Sequence, residues 1–331
     1  MSDPLRLGLL STARINDAIL AAAAATDQID VFAVASRDAA RAEAYAAERG
    51  IPRAYGSYNR LLDDPGVDAV YVSLPNGLHY EWTMRSLEAR KHVLVEKPFT
   101  RSARQAEECF DLARERGRVL LEAFMYRHHP QPGEVKRLLD EGAVGRVQLV
   151  RGSFSFFLES LSDVRADPKL EGGALMDIGS YCVSIARFLL GEPERVAGEQ
   201  VLGETGVDMA FQGTLRFPGD VVAQFDCSFT QPGYERLDVV GDHGWLLVDS
   251  PWRSEGEGEL LLRHVDHLRR IDVPAADAYR LQLENFAAAA AHEAAPLIGR
   301  DETIGQARAI EALYRSAEEA RSVDLDEIAT K

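Results

Sequence analysis

The chain has 331 residues, 46% hydrophobic and 27% charged; this exceeds the size at which one core keeps growing, so two domains of ordinary globular composition are expected. With Lys+Arg at 37 against Asp+Glu at 53, the formal charge of -16 argues against nucleic acid and anionic membrane surfaces as partners. Cys109, Cys182 and Cys227 are an odd, widely spaced set that suggests neither a disulfide framework nor a thiolate zinc site, and the opening residues lack the pattern of a signal peptide, so a reducing, cytoplasmic setting is expected.

A strand over 5–10 and a helix over 13–25 open the chain. Between them, Gly8-Leu9-Leu10-Ser11-Thr12-Ala13 is read as a degraded dinucleotide fingerprint, G-x-G-x-x-G/A, with Ser11 in the place of the second glycine. Serine still admits a pyrophosphate if its hydroxyl faces the phosphate; an ordinary strand-to-helix turn would look the same. The cofactor-binding expectation here covers Gly8, Ser11, Thr12, Ala13, Arg14 and Ile15.

Strands over 31–35, 69–73 and 119–122 alternate with helices over 39–48, 80–89 and 103–116, the pattern of a doubly wound parallel sheet. The second strand ends in Ser36-Arg37-Asp38. A site for NAD usually sets a carboxylate there on the ribose hydroxyls, whereas an arginine meets a 2′-phosphate. Ser36 followed by Arg37 therefore points to NADP, with Asp38 suited to an N-cap. Further on, Leu74-Pro75-Asn76-Gly77-Leu78-His79 leaves a strand in a tight bend. Leu74, Pro75, Asn76 and His79 are candidates for the nicotinamide side of the cofactor, and Asn76 and His79 could equally be caps.

Val93-Leu94-Val95-Glu96-Lys97-Pro98 reads as a buried parallel strand that breaks into charges and a proline at the carboxyl end of the sheet, where ligands bind. The residue before a proline is pushed away from the helical region, so Lys97 is held extended or in a turn. Glu96 and Lys97 join the cofactor-binding candidates.

The chain leaves this sheet near Glu122-Ala-Phe-Met-Tyr-Arg-His-His-Pro130. Residues 1–123 are expected to form the dinucleotide-binding domain and 124–331 a substrate-binding and oligomerisation domain, whose last helices could pack back on the first. A helix over 131–141 and a long strand over 147–157 precede strand candidates at 195–200, 207–217, 221–230, 237–240, 244–249, 259–263 and 267–273. Turns such as Pro218-Gly219-Asp220 make these look antiparallel, and helices over 276–295 and 302–320 close the chain. The expected fold class is α/β plus α+β: a doubly wound Rossmann sheet, then an open, largely antiparallel sheet domain.

Within the second half, Gly172-Gly173-Ala174-Leu175-Met176-Asp177-Ile178-Gly179-Ser180-Tyr181 precedes an apolar run over 182–190. Two glycines permit close backbone approach and leave N–H groups at a helix start. Asp177 and Tyr181, four apart, share one helix face. Gly179 between them costs about 1 kcal/mol in helix propensity, which suggests close packing or ligand approach. A carboxylate one turn from a phenol suits aligning a hydroxyl and moving its proton; a capping Asp and a core Tyr are the alternative. No zincin-type histidine spacing occurs, so no metal site is expected, and Cys182 and Trp245 are read as core.

The dinucleotide start, Glu96-Lys97-Pro98 and the Gly-Gly-x-Leu-x-Asp-x-Gly-x-Tyr run together resemble the glucose-fructose oxidoreductase, inositol dehydrogenase and MocA family over essentially the whole chain. Residues 122–130 and 177–181 look like the branch holding NADP-dependent D-xylose 1-dehydrogenases, glucose-fructose oxidoreductase and dimeric dihydrodiol dehydrogenases; inositol dehydrogenases usually carry His in place of Tyr181. The resemblance implies hydride transfer between nicotinamide C4 of NADP and a sugar carbon at a domain cleft. Lys97 and Tyr181 would be the catalytic pair, Asp177 a carboxylate near substrate, and Arg127 and His128 candidates for the substrate wall. The implied activity is aldose 1-dehydrogenation of a D-xylose- or D-glucose-like sugar to its lactone. Keto-sugar or nucleotide-keto-sugar reduction and trans-dihydrodiol dehydrogenation are alternatives, followed by a redox-neutral enzyme with tightly bound cofactor or a non-catalytic NADP-binding regulator. A small carbohydrate or diol is the expected partner, with a homodimer or homotetramer formed through the C-terminal sheet.

Overall fold

In the computed structural model, residues 3–328 are described. One unit takes residues up to 100 together with 105–128 and 277–303; the other takes 101–104, 129–276 and 304 onward.

The first unit holds β1 (Leu5–Leu10), β2 (Ile29–Ala35), β3 (Arg53–Tyr55), β4 (Ala69–Val72), β5 (His92–Glu96) and β6 (Leu120–Ala123), in the sheet order β3-β2-β1-β4-β5-β6. The strands pair in parallel, with α1 (Asn16–Ala24), α2 (Ala39–Arg49), α3 (Tyr58–Leu62), α4 (His79–Glu88) and α5 (Ala103–Arg116) between them. A parallel sheet covered on both faces needs continuous apolar strands, and β4, Ala-Val-Tyr-Val, is buried at every position. The core joins Leu7, Leu9, Val34, Tyr71, Leu94 and Leu121 to Ile19 of α1 and to Leu283 and Phe286 of the late helix Ala278–Ala290. That helix belongs to the first unit; the sequence reading placed 124–331 in the second domain while allowing its last helices to pack back on the first. Two elements escape the sequence pattern, β3 and α3, because three and five residues are too few to display a period. The first helix starts at Asn16, not at 13, since Asn16 N–H bonds Ala13 O (3.1 Å) in a preceding turn.

The second unit begins with α6 (Pro130–Asp140) and β7 (Val147–Phe157); α7 (Ser180–Leu190) follows a π-helical turn, Leu175–Gly179. Then come β8 (Arg195–Leu202), β9 (Asp208–Arg216), β10 (Val222–Ser228), β11 (Thr230–Gly241), β12 (Gly244–Val248), β13 (Glu255–His264) and β14 (His267–Asp277) and, past α8 (Ala278–Ala290) of the first unit, α9 (Arg300–Glu319) and β15 (Val323–Asp324). Nine strands form one sheet in the order β14-β13-β12-β11-β7-β10-β9-β8-β15. It is largely antiparallel, but β10 runs parallel to β7. The long connection between these two strands carries a helix and two further strands, and so permits the parallel pairing that hairpin turns would forbid. The helix α7 lies on this sheet, where a Cβ at Gly152 would sit 3.3 Å from the Cys182 side chain. The stretch Pro168–Leu190 is long and apolar enough to cross a membrane by composition, with mean hydropathy 1.3, but 83% of that window is buried, as in a core helix.

Candidate active site

The fingerprint read in the sequence falls on the turn after β1. Strict spacing would put its second glycine at Leu10, inside the strand; the turn comes one residue later, at Ser11. Ser11 adopts φ 153, a backbone conformation that favours glycine. Its Oγ donates to Ser73 O (3.0 Å), lies 2.8 Å from Ser73 Oγ and accepts from Ala13 N–H (3.0 Å). The hydroxyl thus faces the end of β4. Gly8 serves packing: a Cβ there would come 2.7 Å from Leu61 Cδ2 of α3. Thr12 and Ala13 are half-buried, Arg14 is exposed, and Ile15 packs on the core.

At the tip of β2, Ser36 is buried and its Oγ accepts from Asp38 N–H (3.3 Å), while Asp38 caps α2 by accepting from Arg41 N–H (3.1 Å). Burial pushes the Tyr58 phenol pKa up against the opposing positive charge of Arg37 and Arg41. Two guanidinium groups therefore flank one phenol. The sequence reading found Arg37 and missed Arg41, one helical turn further on.

Lys97 stands on a turn held from three sides. Glu96 accepts from the Tyr71 hydroxyl of β4. The ring of His79 lies with Nδ1 2.9 Å from Pro98 O and Nε2 2.7 Å from Leu74 O. Phe99 N–H donates to Glu122 Oε1 at 2.8 Å from the end of β6. The Lys97–Pro98 peptide is cis. His79 is 0% exposed, and burial holds its pKa down despite the two carbonyls. Its place is between the β4 loop and the Lys97 turn. Pro75 and Asn76 remain half-buried at the mouth of that loop, with Leu74 buried.

In the second unit the Gly172-Gly173 pair is used within the chain. A Cβ at Gly172 would collide with Arg165 O, and one at Gly173, where φ is 128, with the Asp208 carboxylate. Close packing likewise explains Gly179, whose Cβ would lie 2.8 Å from Cys227 Sγ of β10. Asp177 lies in the π-turn, a wider turn that recurs at functional sites. It accepts from Arg165 Nε at 2.7 Å, and Arg165 also pairs with Asp163 at 3.3 Å. The ring of Tyr181 meets Phe154 edge-on at 5.5 Å and Trp252 at 5.7 Å. Arg165, Phe154 and Trp252 are functional candidates that the sequence reading missed, since they join the motif only through the folded chain.

Arg127 is ion-paired with Glu302 at 3.0 Å and its side chain is 4% exposed, so it ties the Met125–His128 turn to the start of α9. Burial, with the charge of Arg127, pulls the pKa of His128 down to about 4, which makes it a neutral ring at physiological pH. Among the described residues, no group of three or more His, Cys, Asp or Glu side chains is arranged to hold a metal ion.

Residues 6–124 match a family described as an oxidoreductase family with an NAD-binding Rossmann fold, and residues 133–247 match the GFO/IDH/MocA C-terminal domain. The chain is 38% identical over 326 residues to a D-xylose 1-dehydrogenase (NADP(+)) of Haloferax volcanii, covering 97% of this chain and 100% of that protein. It is 36% identical over 249 residues to a trans-1,2-dihydrobenzene-1,2-diol dehydrogenase of Danio rerio, covering 74% of each. A 3-ketoreductase from Actinomadura kijaniata, solved with NADP and TDP-benzene, superposes with a TM-score of 0.90 at 32% identity, over 95% of this chain and 98% of that one.

Proposed function

This chain belongs to the GFO/IDH/MocA oxidoreductase family, and from that premise we propose that it is an NADP-dependent sugar dehydrogenase that oxidises an aldose at C1 to its lactone. The full-length likeness to a D-xylose dehydrogenase carries this reading. The residues present fit NADP: Arg37 and Arg41 flank Tyr58 at the tip of β2, and Ser36 leaves no carboxylate there to repel a 2′-phosphate. NADP, when bound, supplies the nicotinamide carbon that accepts the hydride.

The protein's part is to remove the hydroxyl proton as the C1 hydride departs, so that lactone and NADPH form with release of one proton. Tyr181 is the proton acceptor in this reading. A phenol with an ordinary pKa of about 10 is a poor base at neutral pH, and a nearby ammonium favours its phenolate; that is the role assigned to Lys97, with hydrogen bonding to the sugar oxygen. Asp177 orients the substrate hydroxyl, its charge offset by Arg165. Phe154 and Trp252 offer apolar faces beside Tyr181 for the C–H surface of a pyranose.

Absorbance at 340 nm against a panel of aldoses, dihydrodiols and keto-sugars, with NADP(H) and NAD(H) in parallel, tests the reading. NADP-dependent turnover of a pentose or hexose supports it; silence with both cofactors removes it. A second reading, reduction of a nucleotide-linked keto-sugar, is favoured by the 0.90 TM-score to the ketoreductase, and turnover only with such substrates selects it. The reading carries with it a cytoplasmic setting and a homodimer or homotetramer formed through the nine-stranded sheet, where Phe157, Val201, Leu202 and Tyr234 are exposed; light scattering of the purified protein measures the assembly.

A further inference from the structure

Asp208 opens β9 and is 2% exposed. A buried carboxylate is costly unless it is hydrogen-bonded, and both oxygens are engaged. Oδ2 accepts from Leu175 N–H at 2.7 Å and Oδ1 from the Tyr314 hydroxyl of α9 at 2.9 Å. Leu175 begins the π-turn, and N–H groups at a helix start lack partners within the helix. Asp208 therefore caps this helix from another strand, 33 residues away in sequence. A carboxylate there also matches the positive end of the helix dipole. Gly173 leaves room for it, since any side chain at that position would collide with Oδ1.

Arg101 and Cys227 also lie near the carboxylate. The Arg101 guanidinium lies over the Tyr314 ring, 3.7 Å from its centroid. Burial raises the Asp208 pKa to about 6, opposed by its two hydrogen bonds and by Arg101. The helix so capped carries Asp177 within its first turns and Tyr181 just beyond.

We propose that Asp208 is a positioning residue for the reaction: by gripping Leu175 N–H and the Tyr314 hydroxyl it fixes the helix start, and with it the placement of Asp177 and of the Tyr181 hydroxyl. The inference rests on the reading of Tyr181 as proton acceptor. Asp208 touches no reacting atom in this account. It acts through the helix.

The test compares Asp208→Ala, Asp208→Asn and Tyr181→Phe in the full chain, with kcat and KM for the aldose and NADPH binding by fluorescence. A misplaced catalytic group costs rate more than affinity, so Asp208→Ala is expected to lower kcat about 10-fold or more while the NADPH Kd stays within about twofold. Asparagine can accept from Leu175 N–H and donate to Tyr314 Oη, so Asp208→Asn should recover kcat to within about threefold of wild type. If Asp208→Ala does not fold, Tyr314→Phe removes one grip alone and should lower kcat about threefold to fivefold with the same unchanged NADPH Kd. A folded Asp208→Ala, or Tyr314→Phe in its stead, with wild-type kcat overturns the inference, as does an asparagine variant no better than alanine. If Tyr181→Phe itself keeps wild-type turnover, the Tyr181 reading falls first. Loss of turnover in Tyr181→Phe with none in Asp208→Ala removes the inference alone.

Discussion

Around Lys97 the first unit uses neighbouring side chains to hold the backbone of one turn, whereas around Tyr181 the second unit uses a buried carboxylate and close-packed glycines to hold one helix. The Lys97 turn gathers Tyr71, His79 and Glu122 from consecutive elements of a parallel sheet. Parallel strands end on the same edge, so short connections deliver these groups together. The Tyr181 helix instead depends on Asp208 from a strand far along the chain and on Arg165 from the loop before it. One mount follows from topology. The other follows from packing, and it keeps a charge where burial opposes it.

The largest effect should come from the residues the two mounts present. General acid–base catalysis contributes about 10²- to 10⁴-fold, so Tyr181→Phe is expected to lose kcat by that factor while still binding NADPH. Lys97→Met should fall in the same range. Either variant within tenfold of wild type would separate that mount from the chemistry.

Acid should act in opposite directions on His92 and His128 of the first unit and on Asp208 of the second. Burial holds His92 and His128 of the first unit at about 4, each with Arg as the second cause. Their folded pKa lies below the unfolded value, so the unfolded chain binds more protons and stability is lost as pH falls from about 6.5 to 4. At pH 5 each costs about 2 kcal/mol. Asp208 is raised, from an ordinary 3.8 to about 6; its contribution is complete below about pH 4 and is lost as pH rises to 6. Hydrogen exchange at pH 5 and pH 7 should show residues 29–96 opening more readily at pH 5, with residues 208–228 protected or unchanged. Parallel losses in both units would break the contrast.

The same linkage isolates Asp208. Above pH 6 its ionisation costs about 3 kcal/mol, at about 1.4 kcal/mol per pH unit. Asp208→Asn keeps the shape without the charge, so urea unfolding should show it more stable than wild type by up to that amount at pH 8 and equal at pH 4. An asparagine variant that gains no stability at pH 8 would mean that the ionised group is fully compensated.

A smaller change confined to the first unit should come from Arg37→Ala or Arg41→Ala. A hydrogen bond to a charged group contributes about 1.5–3 kcal/mol, so the Kd for NADP is expected to rise roughly tenfold to 100-fold with NAD binding and saturated kcat unchanged. Equal weakening of both cofactors would show that these arginines do not face a 2′-phosphate.

What could be read from the sequence divides along the same line. The alternating strands and helices, and the break at Glu96-Lys97-Pro98, are local patterns, and the parallel sheet with its turn at Lys97 follows them. Gly172, Gly173, Gly179, Asp177 and Tyr181 also stood out by spacing, with close approach among the expectations, but the partners of the glycines did not. They admit Arg165 O, Asp208 and Cys227, partners that no window of sequence contains. For the same reason the parallel pairing of β10 with β7 was hidden behind turn signals that speak only for adjacent strands. The partner of Arg127, Glu302, likewise lies 175 residues away.

Ser11 sits between these cases, and the smallest expected effect tests it. Its φ of 153 stores strain of order 1–3 kcal/mol in a residue other than glycine, which Ser11→Gly would relieve. The same change removes the bonds to Ser73 and Ala13, at about 0.5–1.5 kcal/mol each. The two terms nearly cancel, so thermal unfolding should shift by no more than a few degrees. Cofactor affinity decides what the hydroxyl is for. Because Oγ is turned toward the end of β4, glycine here should leave the NADP Kd within about threefold, the backbone N–H groups of the turn remaining to meet a pyrophosphate. A Kd raised tenfold with unchanged stability would mean that the hydroxyl leaves Ser73 for the phosphate when the cofactor binds, and the serine would then belong to the ligand and not to the strand end.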